Sequence, residues 1–310
     1  MRFWKKASQP NGLTAIGLGS QGVSMVRVAA DGARPRIVDW DFRPAEAGRS
    51  AAQLVAGLVG DHQLKQARCT TFLNGGDYQL LLTEAPDVQP EELRAAVRWR
   101  IKDLIGFHIN DASLDVFDLP GEAAPGRARE MYVVAARNPA IQERVDLLDA
   151  AGVDLQVIDI PELAQRNVAA LLPEDAEGVA LLALKAASGM LTLTRNGDLY
   201  LSRSIGVGAD GLAQEAERLA VVDQIVLEIQ RSLDYFESHF RSAPIRHLVL
   251  APMTVEVPGL LDHLRGNLNL LVSPLDVNTL VDAQQPLPAE FQARCLTTIG
   301  AALRREAKAL

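Results

Sequence analysis

Residues able to do chemistry are few in this chain, and their spacing argues against most catalytic designs. Two cysteines, Cys69 and Cys295, stand far apart. No C-x-x-C pair exists, so neither a zinc ribbon nor a thioredoxin-type motif is available. Two lone thiols suit a reducing compartment. The five histidines (His62, His108, His239, His247, His263) show no metal-ligand spacing. A glycine loop ending in Lys-Ser/Thr, a His-Glu-x-x-His helix and a Gly-x-Ser-x-Gly elbow are all missing. The best phosphate-loop candidate is Gly17-Leu18-Gly19-Ser20-Gln21-Gly22, because glycines let backbone N–H groups approach an anion. It turns between two apolar runs rather than opening a helix, which excludes a dinucleotide fingerprint. A plain β-turn is the alternative reading.

The elements that would position this loop form a repeat. Leu13 to Leu18 is apolar, Gly19 to Gly22 turns, and the runs Val23 to Ala30 and Ile37 to Phe42 flank Asp31-Gly32. Val179 to Leu184, the turn Lys185 to Gly189, Met190 to Thr194 and Leu199 to Leu201 around Asn196-Gly197 follow the same plan. Asp-Gly and Asn-Gly favour the backbone angles of tight hairpins. Each half therefore opens with a strand, a turn and a hairpin, which predicts a duplicated two-lobe fold. The length of 310 residues agrees, since a single core stops growing at roughly 250–300 residues.

Between the two hairpins, helices and strands alternate. Pro90 to Ile105 carries Leu93, Val97, Ile101, Leu104 and Ile105 at helical spacing, with Glu91 and Glu92 suited to its positive end. Met131 to Ala136 reads as a strand. Asn138-Pro139 is expected to cap a helix that stops at Gly152. Leu155 to Ile160 reads as a strand and Pro161 to Leu172 as a helix. Gly121 to Arg129 has the composition of a hairpin loop. Later, residues 211–240 form the longest helical stretch, with the stripe Ile225, Ile229, Leu233, Phe236 and Phe240. Strands are expected at His247 to Leu250 and Leu268 to Val272, and helices at Pro258 to Leu264 and Pro288 to Ala307.

Composition narrows the function. Hydrophobic residues make up 48% and charged residues 23%, which fits a globular chain. The net charge is −8 and aromatics are 5%, which disfavours nucleic acid as a partner. No run of 18 apolar residues exists, and the charged start Met1-Arg2-Phe3-Trp4-Lys5-Lys6 lacks the apolar core of a signal peptide. The expected location is therefore the cytoplasm.

The repeated lobes look like the actin/sugar-kinase/Hsp70 superfold. Within it, the sequence resembles the cytoplasmic pilus-assembly family that includes PilM and the MSHA-pilus protein MshI. The matching segments are Ala15-Ile16-Gly17-Leu18-Gly19-Ser20, Pro90-Glu91-Glu92-Leu93 through Phe107-His108-Ile109, and Tyr132-Val133-Val134-Ala135-Ala136-Arg137. Val157-Ile158-Asp159-Ile160, Leu227 through Phe236, and Val257-Pro258-Gly259-Leu260 complete the series. The start Phe3-Trp4-Lys5-Lys6 resembles the MshI branch. The resemblance implies an α/β chain with a tail at 1–11 and a first actin-like lobe at 12–177. That lobe carries an inserted 1C-type subdomain at about 80–158. A second lobe follows at 178–310, with a long-helix subdomain at about 205–242.

The resemblance also implies ATP and Mg²⁺ between the lobes, and the residues depart from that pattern. Gly17 stands where the family has Asp in the first phosphate loop. Ala183-Leu184-Lys185 stands where the second lobe has Asp-x-Gly, and Gly189 falls near its threonine. Ala251-Pro252 replaces the adenosine loop's Gly-Gly. Losing the carboxylates that organise Mg²⁺ should cost several orders of magnitude in phosphoryl transfer. A degenerate nucleotide site is therefore expected, with no catalytic residue and no metal. What remains of it would be Gly17, Gly19, Ser20, Gln21, Asp159 and Lys185. Asp159, at a strand end before a helix, also fits plain local hydrogen bonding.

The expected role is a scaffold of a type IV, MSHA-type pilus platform, peripheral to the inner membrane. Its partner would be a bitopic PilN- or MshJ-like protein, bound through its cytoplasmic N-terminal peptide, with the assembly ATPase as a second contact. In the family that peptide enters a cleft between the first lobe and the insert. Trp99 lies opposite the helical stripe, beside Arg98 and Arg100, and fits an interface anchor. Phe107 and Ile109 join it as candidates. Phe3, Trp4, Lys5 and Lys6 would touch the membrane or the partner. The rival readings are an active actin-like ATPase and the cytoplasmic part of an L-type secretion protein.

Overall fold

A computed structural model describes residues 12–29, 34–120, 128–240 and 243–305. The tail residues Phe3, Trp4, Lys5 and Lys6, the Asp31-Gly32 turn and residues 121–127 of the expected loop lie outside them. The chain begins with strands β1 (Gly12–Gly19), β2 (Gly22–Ala29) and β3 (Arg36–Pro44), then helix α1 (Ala51–Asp61) and β4 (Arg68–Phe72). Ser50 and Gln53 close a reciprocal capping box at the start of α1. Next come β5 (Tyr78–Glu84), α2 (Leu93–Ile101), β6 (Ala112–Asp118), β7 (Glu130–Arg137), α3 (Asn138–Ala150), β8 (Asp154–Asp159) and α4 (Pro161–Ala169). The second half holds β9 (Val179–Leu184), β10 (Gly189–Arg195), β11 (Asp198–Ile205), α5 (Ala209–Ala213) and α6 (Arg218–Phe240). It continues with β12 (His247–Leu250), α7 (Leu260–Asn267), β13 (Leu271–Pro274), β14 (Asp282–Ala283) and α8 (Ala289–Ala302).

Three sheets result, with strand orders β14-β3-β2-β1-β4-β8, β11-β10-β9-β12-β13 and β5-β7-β6. The repeat is explicit in the pairing. β1 is antiparallel to β2 and parallel to β4; β9 is antiparallel to β10 and parallel to β12. Asn196 and Gly197 both have positive φ, 53° and 81°, as the predicted tight β10–β11 hairpin requires.

Helices α4 and α8 cross where the two large sheets meet. Ala15, Val26 and Phe72 of the first sheet share one apolar core with Val179, Leu181 and Val249 of the second, together with Ala164, Val168, Leu296 and Ile299 from the two helices. The crossing needs Gly300, because a Cβ there would stand 2.0 Å from the Ala164 carbonyl oxygen. The third sheet carries its own core under α2, built from Val97, Ile101, Val116 and Val133. It touches the second lobe as well: Tyr132 donates to the Tyr200 carbonyl at 3.0 Å, and His239 lies 2.6 Å from Glu130.

Several boundaries differ from the sequence reading. α2 ends at Ile101 rather than Ile105. Leu104 N–H then bonds back to the Ile101 carbonyl, tightening the last turn and rotating Leu104 out of the stripe. It is 58% exposed instead of buried. The stretch 211–240 is two helices, α5 and α6, of which the second keeps the expected stripe. β8 pairs with β4 in the first sheet, so the inserted sheet ends at Arg137 and not near 158. β14 and α8 join the first sheet, so that lobe draws on both halves of the chain rather than on 12–177 alone. Periodicity reveals an element but not the sheet that it joins.

Candidate functional site

The protein's own groups crowd Gly17 at the first phosphate-loop position, and the turn at the second engages a helix start. Gly17 lies within β1. A Cβ there would stand 2.4 Å from Thr298 Oγ1, 2.5 Å from Ser24 Oγ and 2.9 Å from Phe72 Cζ. Ser24 and Thr298 hydrogen-bond each other at 2.6 Å in that same space. Gly19 has open surroundings, and Ser20 and Gln21 are exposed in the turn. Gln21 Oε1 accepts from Arg294 of α8 at 3.2 Å. Gly22 (φ 143°) must be glycine, since a Cβ would meet the Arg43 carbonyl oxygen at 2.0 Å.

In the second lobe, the turn after β9 gives its carbonyls to a helix start. Ala209 and Asp210 N–H groups bond the Lys185 and Ala186 carbonyls at 2.8 and 2.9 Å. This satisfies two of the unpaired donors at the head of α5. Lys185 itself is exposed. The surrounding protein lowers its pKa by desolvation, while Glu162 across the cleft acts in the opposite sense. Ala251, in the adenosine-loop place, is buried in the interlobe core.

Asp159 ends β8, with a side chain 2% exposed. Its Oδ1 accepts from Ile160 N–H at 2.8 Å, the local bond expected near a helix start. Its Oδ2 accepts from Arg304 Nη1 at 2.7 Å, and the arginine side chain is only 10% exposed. Arg304 follows α8, 145 residues later, and nothing in the sequence links the two. Beside them, Tyr78 donates to Glu162 Oε2 at 2.5 Å. Burial holds the Glu162 carboxyl above the ordinary glutamate range, with the Tyr78 hydrogen bond acting the other way. Burial likewise raises the Tyr78 hydroxyl, reinforced by Glu162. Among the described residues, no group of three or more His, Cys, Asp or Glu side chains is arranged to hold a metal. The geometry at Gly17 does not fit a Mg²⁺–phosphate group there. Cys69 and Cys295 are buried, and burial pushes both thiols up to about 12, which keeps them inert.

The residues expected at a partner surface are spread around the insert. Trp99 points outward, 71% exposed, with Lys102 Nζ 4.6 Å from its ring centroid. Arg98 and Ile109 come together, Arg98 Nη2 donating to the Ile109 carbonyl at 2.6 Å. Arg100 leans to the opposite flank, donating to the Glu84 carbonyl at 2.7 Å. Phe107 and Ile109 are half-buried against the insert's core, and Phe107 stacks under Arg137.

The resemblance implied a cleft between the first lobe and the insert, but sequence reasoning missed the residues that line the one found at the insert's root. It has a volume of about 250 Å³, and its walls include Leu18, Val23, Ala51, Asn74, Asp77 and Arg144. Gly75-Gly76 form a turn (Gly76 φ 95°) that returns Asp77 to accept from Asn74 N–H at 3.1 Å. That glycine pair was the available signal. Arg144 had none: it is an arginine on α3, 8% exposed, held by long contacts to the Leu18 carbonyl at 3.4 Å and Asp77 at 3.7 Å. Burial lowers its pKa, opposed by Asp77.

Residues 82–223 match the family described as Type IV pilus assembly protein PilM. Among solved structures, a PilM–PilN type IV pilus biogenesis complex matches at 21% identity with TM-score 0.75, over 95% of this chain and 98% of that one. The cytoplasmic domain of EpsL, an inner-membrane component of the Vibrio cholerae type II secretion system, matches at 13% identity with TM-score 0.53, over 95% and 96%. A Bacteroides thetaiotaomicron protein with an actin-like ATPase fold and unknown function matches at 8% identity with TM-score 0.52, over 96% and 99%. No curated protein matches significantly. Among the described residues, no helix is long and apolar enough to cross a membrane. Residues 82–223 are thus similar in sequence to the PilM family, and the fold over nearly the whole chain is similar to that of the PilM–PilN complex and of an actin-like ATPase-fold protein.

Proposed function

We propose that this chain is a non-catalytic scaffold of a type IV pilus platform, of the MSHA kind. It captures the cytoplasmic N-terminal tail of a bitopic, PilN- or MshJ-like inner-membrane protein, and through it stays at the membrane face. The observation that carries this reading is the PilM family match, which spans most of the insert and the start of the second lobe. The cleft of about 250 Å³ at the root of the insert supplies a place for the tail, with apolar Leu18 and Val23 beside the polar Asn74, Asp77 and Arg144. Trp99 is a second contact on the insert's outer helix. The assembly ATPase is the further partner.

The absence of turnover is supported by the space at Gly17, which a carboxylate cannot enter, and by the Asp159–Arg304 pair, which occupies the remaining acidic group. Two measurements test the proposal. Calorimetric titration with ATP and Mg²⁺ should give no binding heat; micromolar affinity, or turnover lost in Asp159→Ala, sinks the degenerate-site reading. Pull-down from solubilised membranes should recover an inner-membrane pilus protein, and Ala51→Trp, which fills the cleft from an exposed helix position, should abolish its capture. Unchanged capture would move the tail elsewhere.

A further inference from the structure

The geometry points to a second docking surface on the insert, a groove that receives one extended acidic segment as a fourth strand beside β6. Strand order β5-β7-β6 leaves β6 at an edge. Helix α2 lies over one face of this sheet, and its flank overhangs that edge. Together they enclose a groove of about 350 Å³, walled by Arg94, Ala95 and Arg98 of α2 and by Ala112, Ser113 and Leu114 of β6. None of these residues lines the cleft assigned above to the membrane partner's tail. The two surfaces are therefore independent.

The backbone of β6 is ready for pairing at one point. Along a strand, the N–H groups of Ala112, Leu114 and Val116 face the same side. The Ala112 N–H bonds the Ile109 carbonyl, and the Val116 N–H bonds the Asp115 carboxylate at 3.0 Å. Both bonds turn that row away from β7. Leu114 is left to present its N–H and C=O to an incoming strand, at the centre of the groove. Exposed edges usually carry proline, lysine or other charges to block such addition. Ala112 to Asp118 has no proline or lysine, and of its two carboxylates Asp118 is paired with Arg129.

The charge on α2 selects the occupant. Arg98 is positioned by the Ile109 carbonyl and Asn110 Oδ1. Arg94 has no hydrogen bond or ion pair among the described residues. Its charge is felt by Asp115, whose carboxyl is raised by burial and pulled back by Arg94, without pairing to it. Asp115 and Ser113 sit on the opposite face of the strand from Ala112, Leu114 and Val116. An added strand would thus place acidic side chains on the α2 side, against Arg94 and Arg98, and neutral ones on the Asp115 side.

The test uses the full chain and two fluorescein-labelled hexapeptides, one alternating glutamate with threonine and one alternating lysine with threonine. Fluorescence anisotropy should show the glutamate peptide binding at least tenfold more tightly than the lysine peptide. Arg94→Glu, an exposed substitution whose fold is checked by circular dichroism, should weaken the glutamate peptide at least fivefold, with Arg94→Gln between. Methylating alternate backbone amides of the peptide, in either register, should abolish binding in one of the two. Absence of glutamate-peptide binding, equal binding of both peptides, indifference to Arg94→Glu, or tolerance of methylation in both registers would each overturn the proposal.

Discussion

The cleft between the lobes and the surfaces of the insert use charged residues in opposite ways. Between the lobes, the buried acidic groups are answered from within the chain. Asp159 meets Arg304, Glu162 meets Tyr78, and the carbonyls of the Lys185 turn meet the head of α5. Around the insert, Arg98 and Arg100 bond backbone carbonyls, but other groups are exposed or loosely held. Arg144 has only long contacts, Arg94 has none within pairing distance among the described residues, and Trp99 faces solvent. The contrast separates a cleft whose buried acidic groups are paired within the chain from a surface that presents Trp99 to solvent. On the function proposed above, the interlobe cleft no longer serves a nucleotide and the insert serves the partner.

The comparison can be broken most forcefully at Gly17. If the interlobe cleft is filled, restoring the carboxylate with Gly17→Asp should not restore nucleotide binding. It should overpack Ser24, Thr298 and Phe72 and bury a charge, costing about 4 kcal/mol or more by urea denaturation. A stable variant that gains ATP affinity would mean the loop is open after all. Next in size is Arg304→Met, which strands a buried carboxylate and should cost about 3–5 kcal/mol. The double variant Arg304→Met/Asp159→Asn should recover most of that loss, a coupling that two independent sites would not show.

A smaller effect is expected at Glu162. Its raised pKa means that the folded state holds the proton more tightly than the unfolded chain does. That contribution is full below the ordinary glutamate value and is lost as pH rises through the folded value. Glu162→Gln keeps an acceptor for Tyr78 and removes the loss, so it should raise the Tm at pH 7 by about 1–3 °C and leave it nearly unchanged at pH 4. An equal shift at both pH values would assign the effect to packing. Smallest of all on stability is Trp99→Ala. An exposed indole should cost less than about 0.5 kcal/mol, while capture of the membrane partner should weaken. Unchanged capture removes Trp99 from the interface.

Much of the framework was legible in the sequence because it depends on local pattern. Asn196-Gly197 marked a hairpin through its backbone angles, and the stripe from Ile225 to Phe240 marked α6 through its period. Trp99 was read as lying opposite the stripe of Leu93, Val97 and Leu104, and it is exposed, although Leu104 is exposed too. What could not be seen was everything set by long-range pairing. Asp159 and Arg304 meet only because α8 returns to the first sheet, and Arg144 lines a cleft only because α3 packs beside the β4–β5 turn. Leu104 was misplaced because a tightened final turn leaves no trace in spacing.

The return of β14 and α8 to the first sheet has a consequence for how the protein is made. Translation delivers β1 to β4 first, yet their sheet is capped on one edge by Asp282–Ala283 and on one face by Ala289–Ala302. The second lobe, whose strands and helices all lie between residues 179 and 274, is complete before those pieces leave the ribosome. Domains usually mature in the order of synthesis. Here the sheet that begins first is the last to receive its edge strand and its covering helix.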